Sequence, residues 1–189
     1  MKITDEIIKL YTGKVPQEVE HDIAYFGWDS AEPVVAFFNY ADSYRFAADT
    51  LYETFLAKAT LMSDLDRLGF SICYLYRQSI ELSLKYVYMT SKQSETDNQS
   101  FLRKGHNLIN LWESLSPLIS SYIKDEQVIR YYINEFNKFD PDSMTMRYPV
   151  KKDNTSNKGD TKLNIRIFAE AAQELQTRLI SIGDTIRNQ

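Results

Sequence analysis

The chain has little of what builds small secreted or turn-rich folds: one cysteine, six glycines and five prolines in 189 residues. A single cysteine excludes a disulfide framework and any metal site made of several thiolates. So few turn residues argue against an all-β chain with many tight connections. Histidine occurs twice, at His21 and His106, and no HxxxH, HExxH or CxxC is present, so the spacings that hold zinc are missing. Neither a GxxxxGK phosphate loop nor a GxGxxG turn occurs, which removes the common nucleotide cradles. Nothing in the sequence asks for a cofactor. The stretch 114–123 is the longest without a charge, far short of the roughly 18 residues of a membrane span. Asp5 and Glu6 stand where a signal peptide needs its apolar run. Lys and Arg number 22 against 26 Asp and Glu, a net charge of −4, so no overall positive field argues for nucleic acid. The expectation is a soluble, cytoplasmic protein with no membrane partner.

Aromatic residues are plentiful: thirteen Tyr, ten Phe and two Trp. Rings of this number pad a helical core, with tyrosine hydroxyls reaching its surface. A base-stacking platform interleaves rings with Lys and Arg; here they stand among Asp, Glu and Ala as often as among bases.

Residues 1–38 read as an acidic arm packed on the rest, with three lysines against seven acids. Ile3, Ile7, Ile8 and Leu10 fit a short amphipathic helix stopped by Gly13 and Pro16. The apolar runs 23–26 and 34–38 are strands or an extended wrap; runs this short leave the choice open. The domain proper is expected over 39–189. Residues 42–68 contain no Pro or Gly and place Tyr44, Ala47, Ala48, Leu51, Phe55, Ala59 and Met62 at helical spacing, with Gly69 as the stop. A second helix over 70–91 buries Ile72, Leu75, Ser79, Leu82 and Tyr86. Residues 92–100 read as a polar loop. A third helix over 107–122 is kinked or split by Pro117. A fourth spans 125–138, and a last helix 161–187 lines up Ile165, Phe168, Ala172, Leu175, Leu179 and Ile182. Between them, 140–160 is a long irregular segment of the kind that is functional or disordered in a compact domain. The fold expected is all-α: an antiparallel bundle of four to five helices with an irregular N-terminal arm.

Three polar groups stand out. Arg77, Glu81 and Lys85 recur every four residues and pair along an exposed or interfacial face. Gln78, Glu81 and Lys85 fall at about 0°, 300° and 340° around the helix and so share a face. His106 stands where the third helix begins. Arg147-Tyr148-Pro149 opens a basic loop in which Arg147, Lys151, Lys152, Lys158, Lys162 and Arg166 oppose Asp153 and Asp160, a local balance of +4. Such a loop suits a phosphate backbone or an acidic partner, or the chain's own acidic arm. Cys73, on an apolar face, reads as a buried inert thiol.

In this order, R77-Q78-S79-I80-E81-L82-S83-L84-K85, then G105-H106-N107-L108 with Leu111, then R147-Y148-P149, the three groups resemble the HEPN family, the higher-eukaryote and prokaryote nucleotide-binding helical domains. The resemblance covers roughly residues 40–180. It implies a helical bundle, often a homodimer, and for many members a metal-independent RNase of toxin–antitoxin or phage-defence systems; some members partner a nucleotidyltransferase. The RNase members place an Arg ahead of a His with four to six residues between them. Here only Lys104 and Gly105 separate Arg103 from His106, so that motif is absent. The reading is therefore an atypical HEPN-like protein that binds RNA, a nucleotide or a partner protein. The alternatives are an RNase with a divergent site, or a structural subunit of a nucleotidyltransferase or defence complex. Candidate catalytic residues are His106 and Arg147, since 2′-hydroxyl attack needs a base and a cation. Candidate binding residues are Arg77, Gln78, Glu81, Lys85, Arg103, Tyr148, Lys151 and Lys152, with no metal ligands.

Overall fold

Apolar side chains at three- and four-residue spacing fold the chain into helices that share one core. The computed structural model describes residues 32–58, 62–150, 153–156 and 162–189. Six α-helices lie among them: α1 (Pro33–Lys58), α2 (Met62–Thr90), α3 (Glu95–Leu102), α4 (Leu108–Leu115), α5 (Glu126–Phe139) and α6 (Ile165–Arg187), with a 3-10 turn at Ser120–Tyr122. The only extended pairing among the described residues is an isolated bridge between Val150 and Ser156. The protein is an all-α bundle. Most of the acidic arm, residues 1–31, lies outside the described residues, as do Lys151, Lys152 and Lys158 of the basic loop.

The long helices α1 and α6 both pack on α2, α4 packs on it too, and α5 packs on α4 and α6. Residues 79–90 of α2 are all buried, which makes this helix the axis of the bundle rather than one of its walls. The shared core takes Ala48 and Tyr52 from α1, Leu111 and Trp112 from α4, Ile133 and Phe136 from α5, and Ala172, Leu175 and Leu179 from α6. Each fully buried aliphatic side chain contributes roughly 1.5–3 kcal/mol. Polar ties fix the registration. Tyr76 Oη donates to Asp49 Oδ1 at 2.6 Å and Gln173 Nε2 to the same oxygen at 2.8 Å, joining α1, α2 and α6. Burial and the Asp49 hydrogen bond hold the Tyr76 hydroxyl well above the usual phenol range. Tyr86 Oη likewise donates to Asp184 Oδ1 at 2.6 Å.

Several expected boundaries differ. The second apolar run, 34–38, is the start of α1 and not part of the arm: Pro33 sits at the first helical position, where its missing N–H has no intrahelical partner to lose. The first helix ends at Lys58 instead of continuing to Leu68. Gly69, expected to end it, lies inside α2 and faces Ile165; a Cβ there would stand 3.5 Å from Ile165 Cδ1. Residues 59–61, between the two helices in sequence, lie outside the described residues. The segment 92–100 is largely helical: Ser94 Oγ caps α3 by accepting from the Asp97 N–H at 3.2 Å. Phe101 at its end stacks on Tyr88, ring centres 3.6 Å apart. The split of the third helix before Pro117 is as expected. Among the described residues, no helix is long and apolar enough to cross a membrane.

Candidate functional site

The central helix carries an ion cluster. Glu81, fully buried, accepts from Arg77 Nη1 at 2.5 Å through Oε2 and from Lys85 Nζ at 2.7 Å through Oε1. Arg77 is also fully buried and Lys85 is 9% exposed. The four-residue spacing pairs them as expected, but buried and not on an exposed or interfacial face: Arg77 meets the chain at His106, just before α4, and at Asp140, just after α5. A carboxylate in that position needs its cations. Burial alone would raise the Glu81 pKa; Lys85, Arg77 and His106 together outweigh it and hold the carboxyl below its ordinary value.

His106 comes to Glu81 from the turn between α3 and α4. Gly105, at φ +70°, reverses the chain there, in a region that favours glycine. Asn107 then caps α4, its Oδ1 accepting from the Asn110 N–H at 3.0 Å. The Leu108 N–H donates to Asn137 Oδ1 of α5 at 2.9 Å. So fixed, His106 Nδ1 lies 2.9 Å from Glu81 Oε1 and 3.1 Å from Oε2. An ionised carboxylate accepts only, so Nδ1 carries the hydrogen and Nε2 of the neutral ring keeps its lone pair. The His106 side chain is 51% exposed. A half-open imidazole with a buried carboxylate behind it is the arrangement of an oriented base.

Arg77 holds the loops that frame this ring. Its Nη2 donates to the His106 carbonyl, and its Nε to the Asp140 carbonyl at 3.2 Å. Asp140 begins a tight loop: its Oδ1 accepts from the Thr145 N–H at 3.0 Å, and Asp142 Oδ1 from the Met144 N–H at 3.1 Å. Ser143, buried, takes φ +61°. The loop delivers Arg147, whose guanidinium carbon lies 5.8 Å from the ring centres of both Tyr74 and Tyr148. Tyr74 is one turn before Arg77 on α2 and meets Tyr44 of α1 edge-on at 6.4 Å. Its hydroxyl pKa is raised by burial first and by Tyr44, with Arg147 pulling it down and Glu81 pushing it up.

All three sequence motifs converge on this side of α2, but their roles differ. Arg77, Glu81 and Lys85 form the buried support. Gln78 is half-buried beside them; Arg103, His106, Arg147 and Tyr148 face outward. Lys151 and Lys152 lie outside the described residues. Sequence reasoning missed Tyr74, Asp140 and Asn137. Only Tyr74 left a signal, three residues before Arg77 on one helical face; Asp140 acts through its backbone carbonyl, which no side-chain pattern reveals. Cys73 is buried. Among the described residues, no group of three or more His, Cys, Asp or Glu is placed to hold a metal. A separate apolar groove of about 430 Å³ between α5 and α6, lined by Tyr131, Phe139 and Ile167, contains none of the expected site residues.

Comparison with family models, curated proteins and solved structures found no match to this chain.

Proposed function

We propose that this chain is an atypical HEPN-like domain that binds RNA on the face formed by His106, Arg103, Arg147 and Tyr148. The observation that carries the reading is the meeting of the His106–Glu81 pair and the Arg147–Tyr74 contact on one side of α2. Residues far apart in the sequence thereby stand on one side of α2, with Arg77 tied to the His106 and Asp140 carbonyls, in the motif order of the family the sequence resembles. Exposed cations for a phosphate backbone stand at Arg103 and Lys104. The resemblance brings with it a homodimer and a toxin–antitoxin or phage-defence setting, which belong to the same proposal.

One observation favours a second reading, a metal-independent endoribonuclease. With Nδ1–H given to Glu81, His106 Nε2 is the basic nitrogen. It would take the 2′-hydroxyl proton as that oxygen attacks the adjacent phosphorus, and the 5′-oxygen would leave as a hydroxyl with a proton from water, giving a 2′,3′-cyclic phosphate. Arg103 would face the phosphorane charge.

Purified protein with a mixed end-labelled RNA pool in EDTA separates the readings. A gel shift that weakens steeply with salt, and weakens further in Arg147→Ala, supports RNA binding. Cleavage lost in His106→Ala supports the nuclease. Wild type that neither shifts nor cleaves at low salt refutes both and leaves a protein partner as the ligand.

A further inference from the structure

We propose that the acidic segment ahead of α1 docks along the seam between α5 and α6 of its own chain, with the apolar run 23–26 in the groove lined by Tyr131, Leu163 and Ile167. The inference is independent of the RNA reading. The walls of that groove are open: Tyr131 is 60% exposed, Ile167 63% and Leu163 39%. Clustered apolar side chains left this open mark an interaction site. A second groove, polar and of about 860 Å³, continues the seam toward the C-terminal end of α6, lined by Ser121, Lys124 and Thr185 among others. Ile167 and Thr185 stand five helical turns apart, so both grooves open on one face of α6. Between them Arg178 crosses the seam to Asp125 at 3.1 Å.

Reach, polarity and charge select this occupant. Helix α1 runs beside α6 in the opposite direction: Gln176 Nε2 donates to the Ala41 carbonyl at 3.1 Å, and Gln173 Nε2 to Asp49 Oδ1 at 2.8 Å. Phe38 meets the Tyr86 ring at 5.4 Å, and Tyr86 is tied to Asp184. The chain therefore enters α1 at the C-terminal end of α6, where the polar groove lies. From Asp184 back to Ile167 the helix covers roughly 25 Å. Phe26 and Ile23 precede Glu32 by six and nine positions, a reach of roughly 20–30 Å. Asp29 and Ser30 thus fall at the polar groove, and Ile23, Tyr25 and Phe26 at the apolar one. Residues 15–31 hold Glu18, Glu20, Asp22 and Asp29 and no Lys or Arg, a charge of −4. Along the seam Lys138 is paired with Glu135, and Arg178 with Asp125 and Glu174. That leaves Lys124, Lys162 and Arg166 against Glu170, all exposed except half-buried Lys124 or at its rim, a balance of +2 that complements the segment.

The test is disulfide trapping in the full chain with Cys73→Ala. Phe26→Cys is combined either with Ile167→Cys or, as a control, with Phe46→Cys on α1, which is 72% exposed. Phe46 lies roughly 20 Å along α1 from Pro33, so an undocked segment meets it as readily as it meets Ile167. Under mild oxidation the Ile167 pair should close within monomers about tenfold faster than the Phe46 pair. A second measurement needs no cysteine. Cleavage by a glutamate-specific protease after Glu18 and Glu20 should quicken about tenfold in Ile167→Asp, with the urea midpoint unchanged because that side chain is exposed. Equal closing rates for the two pairs, or cleavage unchanged in Ile167→Asp, overturn the proposal. Disulfides found only between chains give the groove to the segment of a second copy and overturn it as well.

Discussion

Arg77 Nε donates to the backbone carbonyl of Asp140 at 3.2 Å, joining the middle of α2 to the first residue after α5 across 63 positions of sequence. The same guanidinium reaches the His106 carbonyl and the Glu81 carboxylate. One fully buried side chain thereby sets the spacing of the two loops that carry the outward-facing residues. Truncating it in Arg77→Ala leaves Glu81 short of a cation and two carbonyls without a donor. The expected loss is roughly 3–5 kcal/mol of unfolding free energy, read as a lower urea midpoint with an unchanged slope. Arg77→Lys keeps the charge but not the planar reach, and should fall between wild type and Arg77→Ala.

Glu81 makes stability depend on acid. Its folded carboxyl lies below the ordinary value, burial being outweighed by Lys85, Arg77 and His106. The unfolded chain releases that proton near the ordinary value of about 4.3. The stabilisation is complete above that pH and drains away as the pH falls through the lower, folded value. Urea midpoints measured from pH 6 down to pH 3 should fall in wild type. Glu81→Gln, already less stable because two cations lose their counter-charge, should show a shallower acid limb.

Two helical glycines should respond in opposite directions to alanine. At Gly69 a methyl would meet Ile165 Cδ1 at an ordinary 3.5 Å, so Gly69→Ala should raise stability by about 0.5–1 kcal/mol through helix propensity. At Gly183 the added carbon would fall inside the Tyr86 ring. Gly183→Ala must displace a ring anchored to Asp184, and should lower stability by about 1–3 kcal/mol. Thermal melts of the two variants side by side decide this.

Asn137 should be intolerant of loss. Its Oδ1 accepts the Leu108 N–H, a buried donor at the start of α4 that has no intrahelical partner. Asn137→Ala should cost about 1–3 kcal/mol. Native-state exchange should show α4 and the His106 turn loosened ahead of the rest.

The helices with one apolar face were legible: Phe168, Ala172, Leu175 and Leu179 on α6 are buried as their spacing requires. What escaped was settled by single contacts. Gly69, which looks like punctuation, lies inside α2. Helix α3 is polar and short, and its only signal is the Ser94–Asp97 cap. At the site, the pairing of Arg77, Glu81 and Lys85 followed from their spacing. Their burial did not, because a polar ladder at four-residue intervals looks the same whether water or two other helices cover it. Arg147 was named, but nothing local shows that it would settle against Tyr74.

Residues 79–90 of α2 are enclosed on every side, Ser79, Glu81 and Ser83 as fully as Leu84 and Val87. Most helices in a domain of this size keep a wet flank, where substitutions accumulate freely and amide hydrogens exchange early. For three turns this one has none. Deuterium should enter these amides last, only when the whole bundle opens. A larger side chain at any of these positions meets packed neighbours, at the polar positions as much as at the apolar ones.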